Sequence, residues 1–105
     1  MERHLAAEVD GSVVGTVMAG YDGHRGWIYS MAVLPEYRGR DIGSKLLSVA
    51  EHKLGALGCM KINLQINGDN AAVVRFYEAN GYNVEDRISM GKEMPANVRM
   101  PVNEN

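Results

Sequence analysis

The sequence holds only one cysteine, three prolines, one tryptophan and one phenylalanine among 105 residues. A single cysteine excludes an internal disulfide and favours a reducing compartment, so we expect a cytoplasmic protein. No apolar run approaches the roughly 20 residues of a membrane-spanning helix. The formal net charge of -2 gives no general attraction to nucleic acids or to anionic membranes. We therefore expect a protein that acts without nucleic acid and without a membrane.

The length fits one domain. We expect its core over residues 1–94, followed by an extended or disordered tail over 95–105, where prolines and polar residues replace the alternating pattern. The histidines are not spaced as metal ligands relative to one another or to Cys59, so no metal site is predicted. Most of the seven methionines are expected to lie in the core.

Hydrophobic patterns predict the order strand, strand, strand, helix, strand, helix, strand. Asp10-Gly11 is a strong signal for a two-residue hairpin turn, so residues 5–9 and 13–18 are expected to pair. A third strand is predicted over 27–34. Three consecutive strands joined by short turns favour antiparallel pairing.

The second half of the chain predicts two helices and two strands. Apolar residues at helical spacing predict a helix over 42–57, and strict alternation predicts a half-buried strand over 60–66. Asn70 is a good N-cap for a second helix that ends at Asn80. Alternation over 82–94 predicts a last, long strand. Since a strand–helix–strand unit implies a parallel crossover, the predicted fold class is α/β (α+β) with a mixed, mostly antiparallel sheet.

One stretch, 31–47, combines the end of a strand, a proline, a loop rich in arginine and glycine, and the start of a helix. A helix N-terminus offers unpaired N–H groups and the positive end of the helix dipole. Both favour an anion, most naturally a phosphate. Arg38 and Arg40 add positive charge, while Gly39 and Gly43 let a ligand approach the backbone closely.

The run Val33-Leu34-Pro35, followed by Arg38-Gly39-Arg40-Asp41-Ile42-Gly43, resembles the pyrophosphate-binding motif of the GNAT superfamily of acyl-CoA N-acyltransferases. Residues 14–18 and 21–26 are most similar to the small bacterial YpeA-like members of that superfamily. The resemblance covers about residues 5–94. It implies a truncated GNAT fold, because the strand and helices with which the family's domain usually begins are absent.

The resemblance implies an acetyl-CoA-dependent N-acetyltransferase in which an acceptor amine attacks the thioester directly. It assigns the pyrophosphate to the loop backbone, the thioester carbonyl to the backbone of the third strand, and the role of general acid to Tyr77. The residues that it places against acetyl-CoA are Met31, Ala32, Val33, Arg38, Gly39, Arg40, Asp41, Ile42, Gly43, Ser44, Asn70 and Tyr77.

Two positions depart from the family's pattern. Asp41 stands where the family has glycine; its carboxylate either caps the helix and competes with a phosphate, or turns to solvent or to Arg40 and leaves the N–H groups free. Gln65 stands where the ribosomal-protein alanine acetyltransferases, a GNAT branch, have a glutamate base, and an amide cannot act as a base. Water is then one route for the amine proton. The other nearby candidates for the base are Tyr29, Ser30, Glu36 and His24.

Three functions stay open at this point. The first is acetyl transfer to a primary amine of a small molecule or peptide. The second is a degenerate domain that holds acyl-CoA without turnover, which Asp41 and Gln65 favour. The third is an interaction module whose exposed sheet edge pairs with a second copy, and a homodimer is compatible with all three. For Tyr77, the alternative to a catalytic role is a packed ring with its hydroxyl at the surface.

Overall fold

The computed structural model describes residues 2–98, apart from the side chain of Glu2. Four strands form one sheet in their order along the chain. The first three pair antiparallel, and the fourth pairs parallel to the third, which confirms the predicted mixed sheet and parallel crossover. The elements are β1 (Glu2–Val9), β2 (Ser12–Tyr21), β3 (Gly26–Val33), a 3₁₀ turn (Pro35–Tyr37), α1 (Ile42–Ala56), β4 (Ile62–Leu64) and α2 (Ala71–Ala79).

The predicted hairpin turn joins β1 to β2. Asp10 and Gly11 have φ angles of 49° and 79°. Two consecutive positive φ angles are what a two-residue type I′ turn requires, and its twist matches that of the flanking strands. Val9 and Ser12 consequently face each other across the turn, and the local sequence signal is confirmed.

The helix α1 covers one face of the sheet. Its buried residues recur at helical spacing, so they form a single apolar face. They pack against strand residues and against α2, and Gly58, with φ of 94°, lies beyond the end of the helix as predicted. The main cluster of buried residues consists of Val17, Ala19, Ile28, Leu46, Leu47, Ala50, Leu54 and Tyr77, and Val14 is buried as well.

The strand β4 is shorter than the alternation over 60–66 predicted. It pairs with β3 only from Gly26 opposite Ile62 to Ile28 opposite Leu64. Met60, expected on the buried face, is 96% exposed. The alternation predicted the apolar face of β4 correctly. The strand is short because it pairs with β3 over only three residues.

The predicted last strand over 82–94 is wrong. Within the described part of the chain, no strand follows α2, and the element order ends strand, helix rather than strand, helix, strand. Ile88 and Met90, which the alternation placed on a buried face, are each 91% exposed. A strand completes its hydrogen bonds by pairing with a neighbouring strand, and no described strand pairs with this segment.

Side chains alone hold this segment beside β4. Lys61 Nζ lies 2.6 Å from Glu85 Oε2, and Asn63 Nδ2 donates to Glu85 Oε1 at 2.8 Å. Gln65 Nε2 donates to Ser89 Oγ at 2.7 Å. These contacts lower the pKa of Glu85, chiefly through the hydrogen bonds from Lys61 and Asn63. The segment is therefore positioned next to the sheet without belonging to it.

Most of the described methionines lie outside the core, and the predicted tail begins with a turn. Met60, Met90 and Met94 are exposed, so the prediction of a mostly buried set is wrong for the described methionines. At the start of the tail, Val98 N–H donates to Pro95 O at 3.0 Å and closes a turn. Residues 99–105 of the predicted tail lie outside the described residues. None of the described helices is long and apolar enough to cross a membrane.

Tyr82 ties the end of α2 to α1, and its loss should be measurable. Its hydroxyl donates to Glu51 Oε2 at 2.7 Å, and its ring meets Tyr77 edge-on, with centroids 5.5 Å apart. Tyr82→Phe should lower the free energy of unfolding in urea by about 2 kcal/mol, because the Glu51 carboxylate loses a hydrogen bond. Burial, followed by the hydrogen bond to Glu51, raises the pKa of Tyr82 above 10.0. This contribution is therefore fully present below pH 10 and declines at higher pH.

The matched control is Tyr29→Phe. The Tyr29 side chain is 55% exposed, and its hydroxyl makes no hydrogen bond within residues 2–98. This change should alter the free energy of unfolding by less than about 0.5 kcal/mol. Equal losses in the two variants would contradict a stabilising role for the Tyr82–Glu51 bond.

Candidate functional site

The loop before α1 leaves a run of backbone N–H groups unpaired. Arg38 N–H closes the 3₁₀ turn on Pro35 O at 3.2 Å, and Lys45 N–H makes the first bond of α1, to Asp41 O at 3.0 Å. Between them, the N–H groups of residues 39–44 donate to no described residue. Unpaired donors at the positive end of a helix dipole form an anion site.

Asp41 occupies the N-cap position without capping the helix. Its backbone is left-handed, with φ of 61° and ψ of 15°, and its exposed side chain accepts no hydrogen bond from the first turn. An N-cap that bonds the helix normally has extended backbone angles. The interpretation of Asp41 as a cap that occupies the N–H groups is therefore wrong, and the alternative of a carboxylate turned to solvent agrees with the structure.

The two arginines of the loop have separate partners. Arg38 Nε donates to Val33 O, at the end of β3, at 3.2 Å. Arg40 lies over the ring of Tyr37, with Cζ 5.0 Å from the ring centroid. Neither forms an ion pair with Asp41 within residues 2–98. Both positive charges consequently stay at the loop and are not neutralised by its own carboxylate.

The strands β3 and β4 diverge beside this loop. Their pairing stops at Ile28 and Leu64. Tyr29 is an extra residue in β3, because Ser30 faces Met18 whereas Ile28 faces Ala19. A bulge of this kind bends the strand that carries it. From Tyr29 to Val33, β3 therefore continues with no described strand on the β4 side, and an opening separates the two strands.

Backbone alternation determines which groups of β3 face this opening. Leu34 N–H donates to Val14 O of β2 at 2.8 Å. Since successive residues direct their backbone groups to opposite edges, Leu34 and Ala32 face β2, while Met31 and Val33 face the opening. Met31, Ala32 and Val33 were all predicted to contact the thioester. The backbone groups of Met31 and Val33 face the opening, whereas those of Ala32 face β2.

The first turn of α1 meets both β3 and α2 at Gly43. A Cβ atom added there would lie 3.2 Å from Phe76 Cζ and 3.8 Å from Met31 Sδ. A side chain at this position would therefore need Phe76 to move by a few tenths of an ångström, so packing favours glycine here. The contact places the first turn of α1, the open edge of β3 and the side of α2 around one point.

The side chains predicted on α2 have clear local roles. Asn70 Oδ1 accepts a hydrogen bond from Val73 N–H at 3.4 Å, which is the predicted N-cap. Tyr77 is only 8% exposed, and its ring packs edge-on against Phe76, with centroids 5.1 Å apart. Its hydroxyl makes no hydrogen bond to a described residue. Burial raises the pKa of Tyr77, so the phenol keeps its proton at neutral pH.

Tyr77 also lines a groove of about 1390 Å³ between β4, α2 and residues 82–89. The loop at residues 38–44 does not line it, and Phe76 rather than Tyr77 lies against Gly43. The structure thus groups Met31, Val33 and the loop at one opening, and it places Tyr77 on the neighbouring groove.

None of the four candidates for a general base lines this groove. Gln65 lines it, but its amide is engaged with Ser89. Tyr29, Ser30, Glu36 and His24 do not line it. Sequence reasoning missed three carboxylates that do, Glu51, Glu78 and Glu85; the only signal was the position of Glu78 directly after Tyr77 in the Tyr-Glu-x-x-Gly run.

Substitution at Gly43 should separate its packing role from ordinary helix propensity. Gly43→Ala should destabilise the fold by about 1 kcal/mol, because the added methyl displaces Phe76. The matched control in the same helix is Gly55→Ala, where no atom lies within 4 Å of the added methyl. That change should stabilise the fold by about 0.5–1 kcal/mol through helix propensity. Urea unfolding of both variants measures the difference, and stabilisation by both would show that the Gly43 contact is unimportant.

Comparison with known proteins agrees with this geometry. Residues 2–82 match the model of the acetyltransferase (GNAT) family. An acetyltransferase of Yersinia pestis is 48% identical over 93 residues, which are 89% of this chain and 66% of the relative. An acetyltransferase of Sodalis glossinidius is 52% identical over 91 residues, 86% of this chain and 64% of the relative.

A solved structure shares the fold. The PaiA N-acetyltransferase of Thermoplasma acidophilum, in complex with coenzyme A, is 26% identical and aligns with a TM-score of 0.79 over 83% of this chain and 55% of that one. The chain spans about two thirds of the length of the curated relatives, 66% and 64%. It belongs to the GNAT family of acetyltransferases.

Proposed function

We propose that this chain acts as an acetyl-CoA-dependent N-acetyltransferase on a primary amine of a small molecule or peptide. The observation that carries the proposal is the junction of the unpaired N–H groups of residues 39–44 with the open edge of β3 at Met31 and Val33. The names of the relatives support it, since they are called acetyltransferases, and the Thermoplasma acidophilum protein was solved with coenzyme A.

The pyrophosphate of acetyl-CoA is proposed to lie on the loop before α1. The N–H groups of residues 39–44 are held by the helix and the 3₁₀ turn, so they need no reordering when an anion arrives. Arg38 uses Nε to bond Val33 O, which leaves the other guanidinium N–H groups for phosphate oxygens. Arg40, held over Tyr37, adds charge at the same loop.

The thioester is proposed to lie along the open edge of β3. The amine nitrogen attacks the carbonyl carbon, a C–N bond forms, and the carbonyl oxygen becomes negative. The N–H of Met31 or Val33 stabilises that oxygen, because it points to the opening and has no strand partner there. Collapse of the intermediate breaks the C–S bond and releases the thiolate of coenzyme A.

Two proton transfers complete the reaction. Tyr77 is proposed to protonate the thiolate, since its hydroxyl is unpaired and its raised pKa keeps it protonated. Its neighbour Phe76 packs at Gly43, beside the opening, which supports the approach of α2 to the reacting atoms. The proton of the attacking amine passes to water, because Gln65 cannot accept it.

The proposal also includes a cytoplasmic location and a homodimer. A cytoplasmic location is supported by a single cysteine, Cys59, which is free. Homodimerisation is supported by the exposed apolar residues that follow α2. Cell fractionation tests the location.

Isothermal titration with acetyl-CoA tests the loop. Asp41→Asn keeps the size of the side chain and its tolerance of a left-handed backbone but removes the charge. We expect about 5-fold tighter binding, because a carboxylate near a pyrophosphate costs on the order of 1 kcal/mol. The gain should shrink at high salt, which screens the repulsion.

The matched control for this titration is Asp10→Asn. Asp10 is also exposed and left-handed, with φ of 49°, but it lies in the β1–β2 turn. This change should leave the affinity for acetyl-CoA unaltered. An equal gain in affinity in the two variants would show that the effect comes from the net charge of the protein rather than from the loop. If no variant binds acetyl-CoA, the transferase proposal is wrong.

Kinetics of Tyr77→Phe test the proposed acid. Release of coenzyme A thiol is followed with 1,4-diaminobutane and with a short peptide that has a free α-amino group. The variant should lose about 100-fold or more in kcat, with its affinity for acetyl-CoA preserved. In the parent protein, any alkaline loss of rate through this group should fall above pH 10.0, because burial raises its pKa.

Tyr29→Phe serves as the control for these kinetics, since its hydroxyl has no bonded partner among the described residues. An unchanged kcat in Tyr77→Phe would remove the tyrosine from the mechanism. Tight binding of acetyl-CoA by the parent without transfer to either amine would favour the non-catalytic, acyl-CoA-binding alternative.

A further inference from the structure

The end of α2 brings the ring of Tyr82 back onto the ring of Tyr77. Gly81 N–H donates to Glu78 O at 3.1 Å, and Tyr82 N–H donates to Tyr77 O at 3.0 Å. With the left-handed backbone of Gly81, at φ of 93°, these two bonds form a Schellman motif, in which the second residue beyond the helix cap contacts the last helical turn. The two rings consequently meet edge-on, with centroids 5.5 Å apart and an interplanar angle of 76°.

The ring of Tyr82 is also bonded to α1. Its hydroxyl donates to Glu51 Oε2 at 2.7 Å, across 31 positions of sequence. A hydrogen bond to a carboxylate is stronger than one between neutral groups. Glu51 forms no ion pair within residues 2–98, so no cation of the described chain competes for this carboxylate. Tyr82 is therefore held by its backbone at the end of α2 and by its hydroxyl at α1.

A second ring, that of Phe76, contacts Tyr77. The two rings meet edge-on, with centroids 5.1 Å apart and an interplanar angle of 79°. Edge-on pairs of aromatic rings are a favourable geometry. The other end of Phe76 lies at the first turn of α1, where a Cβ atom added to Gly43 would be 3.2 Å from Phe76 Cζ. Tyr77 thus has two aromatic neighbours, and each of them contacts α1.

Both contacts of these neighbours lie on one rigid element. Gly43 and Glu51 are both in α1, and eight residues of helix span about 12 Å. The loop that leads into the same helix carries the unpaired N–H groups of residues 39–44. The helix α1 therefore sets the position of this loop and, through Phe76 and Tyr82, that of the ring of Tyr77.

The orientation of Tyr77 depends on these ring contacts. Its hydroxyl makes no hydrogen bond to a described residue, although the side chain is only 8% exposed. A general acid must lie within about 3 Å of the atom that it protonates. Displacement by about 1 Å, even through a change far from the reacting atoms, can lower a rate about 100-fold. The groups that hold this ring consequently affect the rate of proton transfer.

We propose that Tyr82, through its hydrogen bond to Glu51, is a positioning residue for Tyr77. This inference rests on the proposed function, in which Tyr77 protonates the departing thiolate. Tyr82 does not itself take part in proton transfer to the thiolate, because its hydroxyl is engaged with Glu51. Without that bond the ring of Tyr82 is free to turn, and Tyr77 loses a fixed neighbour. The bond thus keeps the Tyr77 hydroxyl at a constant distance from the thiolate.

Kinetics with 1,4-diaminobutane and titration with acetyl-CoA test this role. Tyr82→Phe keeps the ring and removes the bond, so kcat should fall about 10-fold. The dissociation constant of acetyl-CoA should change by less than about 2-fold, because Tyr82 lies outside the loop at residues 39–44. Glu51→Ala should give the same loss of kcat as Tyr82→Phe. Glu51→Gln should keep kcat within about 3-fold, because its amide oxygen still accepts the hydrogen bond.

A double-mutant cycle separates positioning from a general loss of structure. Tyr77→Phe has no acid to position, so adding Tyr82→Phe to it should lower kcat by no more than about 2-fold. General damage would lower kcat equally in both backgrounds. The control for stability is Val14→Ala, at a β2 residue that is only 1% exposed. It should lower the urea midpoint, as Tyr82→Phe does, and keep the kcat of the parent.

Three results would each overturn the positioning role alone. They are an unchanged kcat in Tyr82→Phe, a 10-fold loss that recurs in the Tyr77→Phe background, and an equal loss in Glu51→Gln and Glu51→Ala, the 10-fold figure being on the order expected for a misplaced acid. Failure of the proposed function gives different results. Either the parent transfers no acetyl group, or Tyr77→Phe keeps the kcat of the parent, and both would overturn the acid and its positioning residue together.

Discussion

The short ladder between β3 and β4 is the constraint on which the site depends. Only three residue pairs hold β4 parallel to β3, and the extra residue at Tyr29 then turns β3 away. A longer ladder would bond the outward N–H groups of Met31 and Val33 and leave no polar edge for a ligand. The same divergence brings the end of β3 to the start of α1, where the bond from Arg38 to Val33 O holds the loop. One inserted residue in a strand therefore creates the opening and determines what lines it.

Asp41 shows how the loop tolerates a residue that changes charge but not shape. The family's glycine would adopt a left-handed backbone without strain, and aspartate is among the few other residues that adopt it at modest cost. With φ of 61°, Asp41 keeps the path of the chain, and its side chain makes no bond to the first turn of α1. The N–H groups therefore remain unpaired. What the substitution alters is the local electrostatic potential, which affects the strength of anion binding rather than the geometry of the loop.

The sequence predicted those features correctly in which a residue determines the conformation of the backbone next to it. Asp10-Gly11, Asn70 and Gly58 each determine a turn, a cap or a helix end within a few residues, so the pattern was sufficient. It was less informative where the partner is distant in sequence. The contact between Gly43 and Phe76 and the bond between Tyr82 and Glu51 have no local signal, because they arise only when α1 and α2 pack together. The motif at the loop indicated a ligand, and it could not show that packing against Phe76 also favours glycine at position 43.

The wrong prediction of a last strand and the open groove have one physical cause. Alternation over residues 82–94 indicates a half-buried strand, but it does not say which backbone the strand pairs with. No described strand pairs with this segment, so Ile88 and Met90 stay in water at a cost of about 25 cal/mol for each Å² of apolar surface. The groove of about 1390 Å³ beside Tyr77 stays open for the same reason. Water that reaches this groove weakens every electrostatic interaction of the tyrosine hydroxyl, and excluding it would strengthen them. The unpaired outer side of β4 and the access of water to Tyr77 thus have one cause, because no described strand covers that side of the sheet.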